Sequence, residues 1–531
     1  MDGSTKKLEA FILVIDAGTQ SIRGALINLR GEIVEILKTP IDPYYSKQPG
    51  WAEQDPEYYW KMLCATCRGL LDSRENLRNA VKGVAVTTQR ATMINVDKNG
   101  KPLRPAIIWL DQRKAAADQW WLKAMKPPLK VLRLYDTIET AIKDCEANWI
   151  RSHQPEVWDK TYKYLLLSGY LTYKLTGEFK ESVGNNIGYL PINNKTFHWS
   201  NRFDYKWKLF PVERSKLPEL VKSAELLGYI TREAEQETGI PEGLPVIAAG
   251  TDKGCEILGA GCLTPEIACL SYGTTATINT ATKKYVEVIP FIPPYPSAVP
   301  DEYYTEVMVY RGFWMVSWFK EEFGFQERLL ALERKIEPEF LFDELIKDVE
   351  PGSMGLMLQP YWSPGLNTDS YAKGSIIGFG DIHSRAHLYR AILEGLAYAL
   401  KEGAIRTEKR NRVPIVKLRV SGGGSQSDAA MQITADIFGK PAERPYTNET
   451  SSVGAAIVAS VGLGLHPDFE TAVKEMTRVE RVFEPIPENQ RLYDDLFENV
   501  YLKIYKKLRP LFEQIQAITF FYSFPNSSLG T

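Results

Sequence analysis

Two stretches of the sequence share a pattern that constrains the fold more than any other feature. Residues 11–29 read FILVIDAGTQSIRGALINL, and residues 267–281 read IACLSYGTTATINTA. In each stretch an apolar run, a short tip that contains Gly-Thr and a second run predict two antiparallel strands joined by a turn. Because the same unit occurs in both halves of the chain, we predict two similarly built lobes.

The length and composition are those of a globular protein with more than one domain. The chain has 531 residues, too many for one hydrophobic core, with 44 % apolar and 24 % charged residues. A net charge of −2 gives no indication of a nucleic-acid or anionic-membrane partner. We see no secretory signal and no run of about 18 apolar residues, so we expect a cytoplasmic protein. Cys64 and Cys67 form an isolated CxxC within an amphipathic helical pattern, which we interpret as core.

The order of the predicted elements indicates an α/β fold. A third strand follows the first hairpin, a helix is predicted over 56–71, and further strands are predicted over 83–88 and 106–110. Residues 113–235 are predicted to be mostly helical. Five prolines and four tyrosines in 283–304 predict an irregular segment.

These elements divide the chain into three parts. We expect an N-terminal lobe over 1–264, a C-terminal lobe over 265–480, and a C-terminal helix and tail over 481–531. The hinge on which the lobes close is expected near Thr264. Beyond about residue 515 the sequence shows no clear pattern.

The tip of the first unit has side chains that suit a phosphate site. Backbone N–H groups and small donors are offered by Gly18, Thr19, Gln20, Ser21 and Arg23. A carboxylate beside a phosphate needs a cation between them, so Asp16 fits an Mg²⁺ ion that is shared with phosphate oxygens. The spacing is equally compatible with an ordinary hairpin in which Asp16 is a turn residue.

Two further turns offer similar donors. The tip of the second unit is formed by Gly273 and Thr274, and a glycine run between a predicted strand and helix is formed by Gly422, Gly423 and Gly424. Such a run lets a flat group approach the backbone beside a helix N-terminus. Together the three turns indicate a nucleotide held between two lobes, although neither GxxxxGK[ST] nor GxGxxG occurs.

Asp252 in AAGTDKGCEILGAG lies between a predicted strand and a predicted helix. There it could deprotonate a substrate hydroxyl during phosphoryl transfer. Asp is also a common N-cap of helices, and the residues by themselves favour the cap.

Seven motifs resemble, in the same order, those of the FGGY family of carbohydrate kinases. They are DAGTQSIR, TTQRATM, WLDQR, AAGTDKGCEILGAG, YGTTA, KGSIIGFGDIHSRAHLYRAILEG and VSGGGSQSDAAMQITADIFG, and they span about 11–465. The resemblance implies a cytoplasmic ATP-dependent kinase of sugars or polyols. It also implies two ribonuclease-H-like lobes of the actin/Hsp70 type, with the active site in the cleft between them.

The resemblance further implies a role for each matched residue. Asp16 would help to hold Mg²⁺, and Asp252 would be the general base. The nucleotide would be bound by Gly18, Thr19, Gln20, Ser21, Arg23, Gly273, Thr274, Gly422, Gly423, Gly424, Gln426 and Ser427, the adenosine lying at Gly423 and Ser427. The sugar would be bound by Gln89, Arg90, Trp109, Asp111 and Lys253. We therefore expect ATP and Mg²⁺ as cofactors.

The sequence constrains the substrate less. TTQRATM resembles the Gln-Arg-Glu-Thr of glycerol kinases, but Ala91 stands where they carry the Glu that holds glycerol, which disfavours a strict glycerol kinase. Xylulokinases usually carry Met-His in this region, where the chain has Arg90. Residues 283–304 resemble autoinducer-2 kinases more loosely. A ketopentose, a longer polyol or an unusual linear sugar is expected, with a homodimer as the assembly to test.

Two other classes of protein remain open. An ATP-driven chaperone or filament protein could have the same fold, but the QRAT and WLDQR motifs argue against it. A catalytically silent family member could act as a binding module, but the presence of Asp16 and Asp252 argues against that class.

Overall fold

Most strands of the computed structural model belong to two main sheets, and the others form smaller sheets. The model describes residues 10–72, 74–132, 134–290, 292–362 and 371–523. The strands before residue 260 are β1 (Phe11–Ala17), β2 (Ser21–Asn28), β3 (Ile33–Pro40), β4 (Glu53–Gln54), β5 (Val81–Thr88), β6 (Met93–Val96), β7 (Ala106–Ile107), β8 (Lys163–Leu166), β9 (Lys180–Ser182), β10 (Ile192–Asn193), β11 (His198–Trp199), β12 (Glu219–Val221), β13 (Leu226–Tyr229) and β14 (Pro245–Ile247). Those after it are β15 (Ile267–Tyr272), β16 (Ala276–Thr282), β17 (Tyr295–Pro296), β18 (Tyr303–Val309), β19 (Met357–Gln359), β20 (Ser375–Ile377), β21 (Lys417–Ser421), β22 (Ala442–Pro445) and β23 (Val479–Phe483).

The helices are distributed over both halves of the chain. In the first half they are α1 (Pro56–Leu71), α2 (Glu75–Ala80), α3 (Trp120–Ala124), α4 (Lys126–Val131), α5 (Tyr135–Asp144), α6 (Glu146–His153), α7 (Pro155–Lys160), α8 (Leu167–Thr176), α9 (Lys206–Leu209), α10 (Arg232–Thr238) and α11 (Asp252–Gly259). In the second half they are α12 (Trp314–Phe323), α13 (Phe325–Arg334), α14 (Glu339–Ile346), α15 (Arg385–Asn411), α16 (Asp428–Phe438), α17 (Thr450–Gly462), α18 (Phe469–Met476), α19 (Pro487–Leu496) and α20 (Leu502–Ser523).

The two main sheets are built in the same way. The six-stranded sheet has the order β13-β14-β5-β1-β2-β3, and the seven-stranded sheet has the order β17-β18-β16-β15-β21-β22-β23. In the first sheet β1 pairs antiparallel with β2 and parallel with β5; in the second, β15 pairs antiparallel with β16 and parallel with β21. Every residue of β1 is buried, because both faces of the sheet are covered. The predicted repeat of a strand–tip–strand unit is confirmed.

Two helices pack between the main sheets. α17 follows β22 of the second sheet in sequence but packs on β1 and β5 of the first sheet, and α11 packs along α17. A Cβ atom on Gly259 would lie 1.9 Å from the Thr450 carbonyl oxygen, and one on Gly454 would lie 1.9 Å from the Cys255 carbonyl oxygen. The helices therefore cross backbone against backbone, which only glycine allows at these two positions.

The structure confirms several local predictions and corrects others. The helix predicted over 56–71 is α1, and the described residues of 283–304 are irregular apart from the two-residue β17 and the first residues of β18. The strand predicted over 106–110 is shorter than expected, because only Ala106–Ile107 pairs and a turn follows at Trp109. Residues 113–235 also contain six short strands, so the expectation of mainly helix is only half right.

The structure also bears on the predictions for the C-terminal segment and for Cys64 and Cys67. α20 continues to Ser523, through the stretch in which no pattern was recognised, and the rest of the predicted tail lies outside the described residues. Cys67 is buried and Cys64 is half-buried, which agrees with a core position. Among the described helices, none has both the length and the apolar character that a membrane span requires.

Candidate active site

The tip between β1 and β2 joins residues that the sequence assigned to two different ligands. The Thr19 hydroxyl donates to Oε1 of Gln89 at 2.8 Å and accepts from Nε1 of Trp109 at 3.0 Å. The Gln89 amide in turn donates to the Tyr59 hydroxyl at 2.8 Å. Gln89 is placed there because β5 runs parallel to β1, so both strands end at the same edge of the sheet. Thr19, predicted to line the phosphates, is therefore bonded to two residues predicted to bind the sugar.

The backbone of the same tip is partly occupied by its own turn. The Gly18 N–H donates to the Ser21 carbonyl at 3.1 Å, which closes the turn. Ser21 is buried in β2, whereas Gln20 is exposed. The Gly18 amide is thus committed to the turn, and the roles of all three residues toward phosphate stay predictions.

Asp16, two residues before Gly18, has one carboxylate oxygen that is unpaired. Arg23 donates to Oδ2 at 2.9 Å, and the Nε atom of Arg23 lies 3.3 Å from Glu449. Oδ1 is buried and has no hydrogen-bond partner. Burial raises the pKa of Asp16 to about 6, although the Arg23 guanidinium opposes the shift.

The donor set around Asp16 fits a hydrated magnesium ion held partly by a ligand. An orphaned, buried carboxylate oxygen is a suitable first ligand for Mg²⁺, which usually keeps several waters and binds phosphate oxygens. The described residues contain no group of three or more His, Cys, Asp or Glu side chains able to hold a metal. Phosphate and water would therefore have to supply the remaining ligands.

Asp252 is the first residue of α11, but it is not the N-cap. The cap is Thr251, whose hydroxyl accepts from the Gly254 N–H at 3.1 Å. Asp252 instead accepts from the Lys253 N–H through Oδ1 at 2.7 Å. The alternative interpretation of the sequence, in which Asp252 is the N-cap of α11, is therefore wrong, because Thr251 already fills that position.

The electrostatic surroundings of Asp252 connect it with the first tip. Burial raises the pKa of Asp252, while the charges of Lys253 and Arg90 oppose the rise. The Asp252 charge also contributes to the raised pKa of Asp16, so the two carboxylates are close enough to interact electrostatically. A base beside a potential metal ligand is the arrangement that phosphoryl transfer to a hydroxyl requires.

Lys253 points toward the second lobe. Its Nζ atom donates to Oε2 of Glu256 at 2.7 Å and to the hydroxyl of Ser271 in β15. Ser421, at the end of β21, donates to the other oxygen of Glu256 at 2.6 Å. A Cβ atom on Gly273 would lie 3.8 Å from the same Nζ atom. The lysine predicted to bind the sugar thus has its amine at the base of the second tip.

Arg90 connects the two lobes. Its Nη1 atom donates to both carboxylate oxygens of Glu306 in β18, at 3.0 and 2.8 Å, and its guanidinium lies 5.2 Å from the centre of the Tyr295 ring. Tyr295 and Glu306 also line a cavity of about 50 Å³, which has room for a few waters rather than a sugar. Ala91 has a φ of +46°, an unusual conformation for a residue other than glycine.

Asp111 is held by its own neighbourhood. Arg113 donates to both of its oxygens, at 2.8 and 2.7 Å, and the Ala52 N–H donates to Oδ2 at 2.6 Å. The side chain is only 4 % exposed. These contacts give Asp111 a structural task, the anchoring of the loop that carries Trp109, and its predicted contact with the sugar stays a prediction.

The backbone of the second tip is fixed by hydrogen bonds that its carbonyl groups accept. The Gly273 carbonyl accepts from the Phe313 N–H at 3.0 Å, and the Thr274 carbonyl accepts from the Trp314 N–H at 3.3 Å. The Thr274 residue is exposed. The backbone is therefore fixed by the start of α12, while the threonine stays accessible to a ligand.

The glycine run Gly422–Gly424 lies beside Phe313, which also donates to the second tip. A Cβ atom on Gly424 would lie 2.3 Å from the Phe313 ring, whereas one on Gly423 would meet no atom within 4 Å. Gly422 has a φ of +84°. Gly424 is thus required by packing, and Gly423 presents bare backbone to open space, where a flat group can approach.

Ser427 caps the helix that follows the glycine run. Its hydroxyl accepts from the Ala430 N–H at 3.0 Å and donates to Asp343 of α14 at 2.5 Å. Gln426 is exposed. Ser427 therefore has a helix-capping function besides any contact with a nucleotide.

Several residues at this site could not be recognised from the sequence. Glu306, Glu449, Asp343 and Tyr59 belong to none of the seven motifs and contact motif residues that are distant in sequence. Thr251 is an exception, because threonine directly before a helix is a recognisable capping signal.

Comparison with known proteins agrees with this architecture. The family model described as FGGY family of carbohydrate kinases, N-terminal domain, matches residues 11–259, and the C-terminal domain model matches 268–463. The chain is 31 % identical over 499 residues to the uncharacterized sugar kinase YgcE of Escherichia coli (strain K12), with 93 % of both chains covered. It is 29 % identical over 517 residues to a xylulose kinase of Staphylococcus epidermidis (strain ATCC 12228), covering 96 % of this chain and 99 % of that one.

A solved structure shows the same fold. The crystal structure of gluconate kinase from Lactobacillus acidophilus superposes with a TM-score of 0.80 at 20 % identity, covering 96 % of this chain and 100 % of that one. The two family domains occur in order along one chain, and the relatives align over nearly its whole length. This protein therefore belongs to the FGGY family of carbohydrate kinases, two-lobed enzymes with an actin/Hsp70-like ATPase fold that phosphorylate a sugar or polyol with ATP.

Proposed function

We propose that this kinase phosphorylates a hydroxyl of a small sugar or polyol, of the ketopentose or polyol type, with Asp252 as general base and Mg·ATP as phosphoryl donor. The observation that carries the proposal is that Asp252 and Asp16 lie close enough for the charge of Asp252 to raise the pKa of Asp16. A base for the acceptor hydroxyl and a ligand for the metal on the donor are thereby brought to one place.

The proposed reaction is an in-line displacement. The acceptor hydroxyl gives its proton to the Asp252 carboxylate while its oxygen bonds to the γ-phosphorus of ATP. The bond from that phosphorus to the bridging oxygen breaks, and ADP leaves with the electron pair. Because burial raises the pKa of Asp252, its carboxylate is a stronger base than an exposed aspartate.

The two lobes would bind the two substrates from different sides. The network of Thr19, Gln89 and Trp109 offers hydroxyl, amide and ring surfaces to a sugar. Thr274 and Gly423 lie exposed on the second lobe, where phosphate and adenosine would bind. A bound Mg²⁺ would supply charge stabilisation of the phosphate oxygens, and the free Oδ1 of Asp16 would be its protein ligand.

The substrate preference is proposed from the chain and its relatives together. A relative named xylulose kinase supports a ketopentose. Ala91, at the position where the resemblance gives glycerol kinases a glutamate, has no side chain able to bind a hydroxyl. Glycerol should therefore be a poorer substrate than a five-carbon ketose or polyol.

Substitution of Asp252 tests the proposal. Asp252→Asn keeps the shape but removes the base, so turnover should fall by about 10² to 10⁴ with little change in ATP affinity. The melting temperature should not fall, because Thr251 and not Asp252 caps the helix. The measurements are sugar-dependent ADP release, ATP binding and melting temperature on the same preparation.

The matched control is Asp468→Asn. Asp468 caps α18 and accepts from the Thr471 N–H at 2.7 Å, outside the proposed site. Asn is nearly as good a cap as Asp, so this control should keep normal turnover. If a folded Asp252→Asn enzyme that binds ATP turned over at a near-normal rate, Asp252 would not be the base.

A further inference from the structure

The positive charges around Asp252 are already balanced by glutamates. Arg90 is paired with Glu306, and Lys253 is paired with Glu256. Asp252, whose raised pKa is opposed by both cations, forms a salt bridge with neither and adds a further negative charge. A substrate that enters this region therefore meets two compensated cations and one uncompensated carboxylate.

The Arg90–Glu306 pair is built into the fold. The arginine side chain is 14 % exposed and the glutamate side chain 4 % exposed, and Tyr295 covers the guanidinium. The glutamate lies on β18, within the second main sheet, so its position is set by the sheet rather than by a mobile loop. A pair this deeply buried is expected to persist when a ligand binds, because separating it would leave two charges without partners.

Arg90 nevertheless keeps hydrogen-bond donors for a ligand, among them its Nε atom. Its Nη1 atom holds both Glu306 oxygens, while its Nε atom is buried and has no hydrogen-bond partner. An unsatisfied N–H in a buried position favours a ligand oxygen that can accept one hydrogen bond. A hydroxyl or carbonyl oxygen meets that requirement without adding charge.

From these observations we propose that Glu306 determines specificity by neutralising Arg90, so that the enzyme accepts neutral ketoses and polyols and rejects sugar acids. The inference rests on the proposed function and adds the charge class of its substrate. It separates two alternatives that the relatives leave open, since their names refer to a neutral ketose and to a sugar acid. Specificity of this kind comes from repulsion of the wrong ligand as much as from attraction of the right one.

The test compares neutral and acidic substrates on the wild-type enzyme and on Glu306→Gln. The neutral panel is xylulose, ribulose and xylitol, the acidic panel is gluconate and xylonate, and the readout is kcat/KM from ADP release. The wild type should prefer the best neutral substrate by roughly 10² or more, as expected for like charges brought together at a buried site. Glu306→Gln frees the Arg90 charge, and the acid-to-neutral ratio should rise by at least about tenfold.

Three variants separate charge from structure. Glu306→Asp keeps the charge and should keep the wild-type ratio. Arg90→Gln/Glu306→Gln leaves no buried charge unpaired, so it should fold even if Glu306→Gln does not, and its ratio should stay low because no cation is freed. Glu327→Gln breaks the pair that Arg385 forms between α13 and α15, at 2.6 Å, and should leave the ratio unchanged.

Thermal stability gives a second readout. Gluconate should raise the melting temperature of Glu306→Gln more than that of the wild type, because its carboxylate can take the place of the missing one. A wild type that prefers acids would overturn the inference while leaving the kinase proposal intact. A folded Glu306→Gln enzyme with an unchanged acid-to-neutral ratio would also overturn the inference. So would an Arg90→Gln/Glu306→Gln enzyme that phosphorylates sugar acids. Absence of ADP release with both panels would overturn the proposed function and the inference with it.

Discussion

The tip between β1 and β2 and the tip between β15 and β16 share a backbone plan but differ in the side chain two positions before the glycine. In the first tip this residue is Asp16, which pairs with Arg23 and keeps a free oxygen. In the second tip it is Ser271, which accepts from the amine of Lys253. The first tip thus offers a carboxylate to the cleft, and the second is backed by a cation.

The threonines of the two tips differ as well. Thr19 is bonded to Gln89 and Trp109, whereas Thr274 is exposed and its backbone is fixed from behind. The strand–tip–strand unit therefore sets the backbone of both turns, and the side chains make the two turns chemically different. We infer that the first tip serves the sugar and the metal, and that the second serves the nucleotide phosphates.

The largest effect is expected at the residue that makes the tips chemically different. Asp16→Asn should lower turnover by about 10² or more, because a neutral amide is a poor Mg²⁺ ligand. The measurement is ADP release as a function of the Mg²⁺ concentration. Near-normal turnover at low Mg²⁺ would remove the proposed distinction between the tips.

The same substitution should stabilise the free enzyme at neutral pH. Because the pKa of Asp16 is raised to about 6 in the fold, its ionised form costs stability above that pH, and the cost is absent below the ordinary pKa of 3.8. Asp16→Asn should therefore gain up to about 3 kcal/mol at pH 7.5, with a smaller gain at pH 4.5. Denaturant unfolding without nucleotide at both pH values measures the difference, and an equal gain at both would contradict the assigned titration.

A smaller effect is expected at the lysine behind the second tip. The geometry places the Lys253 amine at Ser271, so Lys253→Met should raise the KM for ATP roughly tenfold and change the KM for the sugar less. The sequence-based prediction, in which Lys253 binds the sugar, gives the opposite result. Lys222→Met, which breaks a surface pair with Asp301, is the control and should change neither constant.

The smallest effects on catalysis are expected in the glycine run. Gly424→Ala would force a Cβ atom against the Phe313 ring, which should cost about 1–3 kcal/mol of stability. Gly423→Ala meets no protein atom, so it should fold normally and raise the KM for ATP a few-fold by blocking the approach to the backbone. Denaturant unfolding and ATP kinetics on both variants give the comparison, and equal effects at the two positions would contradict the assignment of Gly423 to the nucleotide.

Local signals in the sequence predicted the elements that depend on neighbouring residues. The helix over Pro56–Leu71 begins after Asp55, which caps it, and its Pro at the first position is a recognisable start signal. The two strand–tip–strand units were predicted for the same reason, since their apolar runs and turn residues lie within about twenty positions. The roles of other cleft residues, such as Gln89 and Trp109, came from the resemblance to the FGGY family and not from such local signals.

Contacts between distant segments could not be predicted in this way. Neither Glu306 nor Glu449 carries any signal of its partner, because the pairs form only after the sheets have assembled. The packing of α17 on the first sheet depends on helix contacts across the chain. The hydrogen bond of the Lys253 amine to Ser271 could not be predicted either, since a side chain at a helix start can turn toward either lobe.

The most direct measurement of the central claim is a paired determination of KM values for the two threonine variants. Thr19→Val leaves Gln89 Oε1 and Trp109 Nε1 without their partner, so the KM for the sugar should rise about tenfold with little change in the KM for ATP. Thr274→Val should raise the KM for ATP several-fold and leave the KM for the sugar nearly unchanged. If Thr19→Val raised only the KM for ATP, or if both variants changed the same constant, the inference that the first tip binds the sugar and the second tip binds the nucleotide would be contradicted.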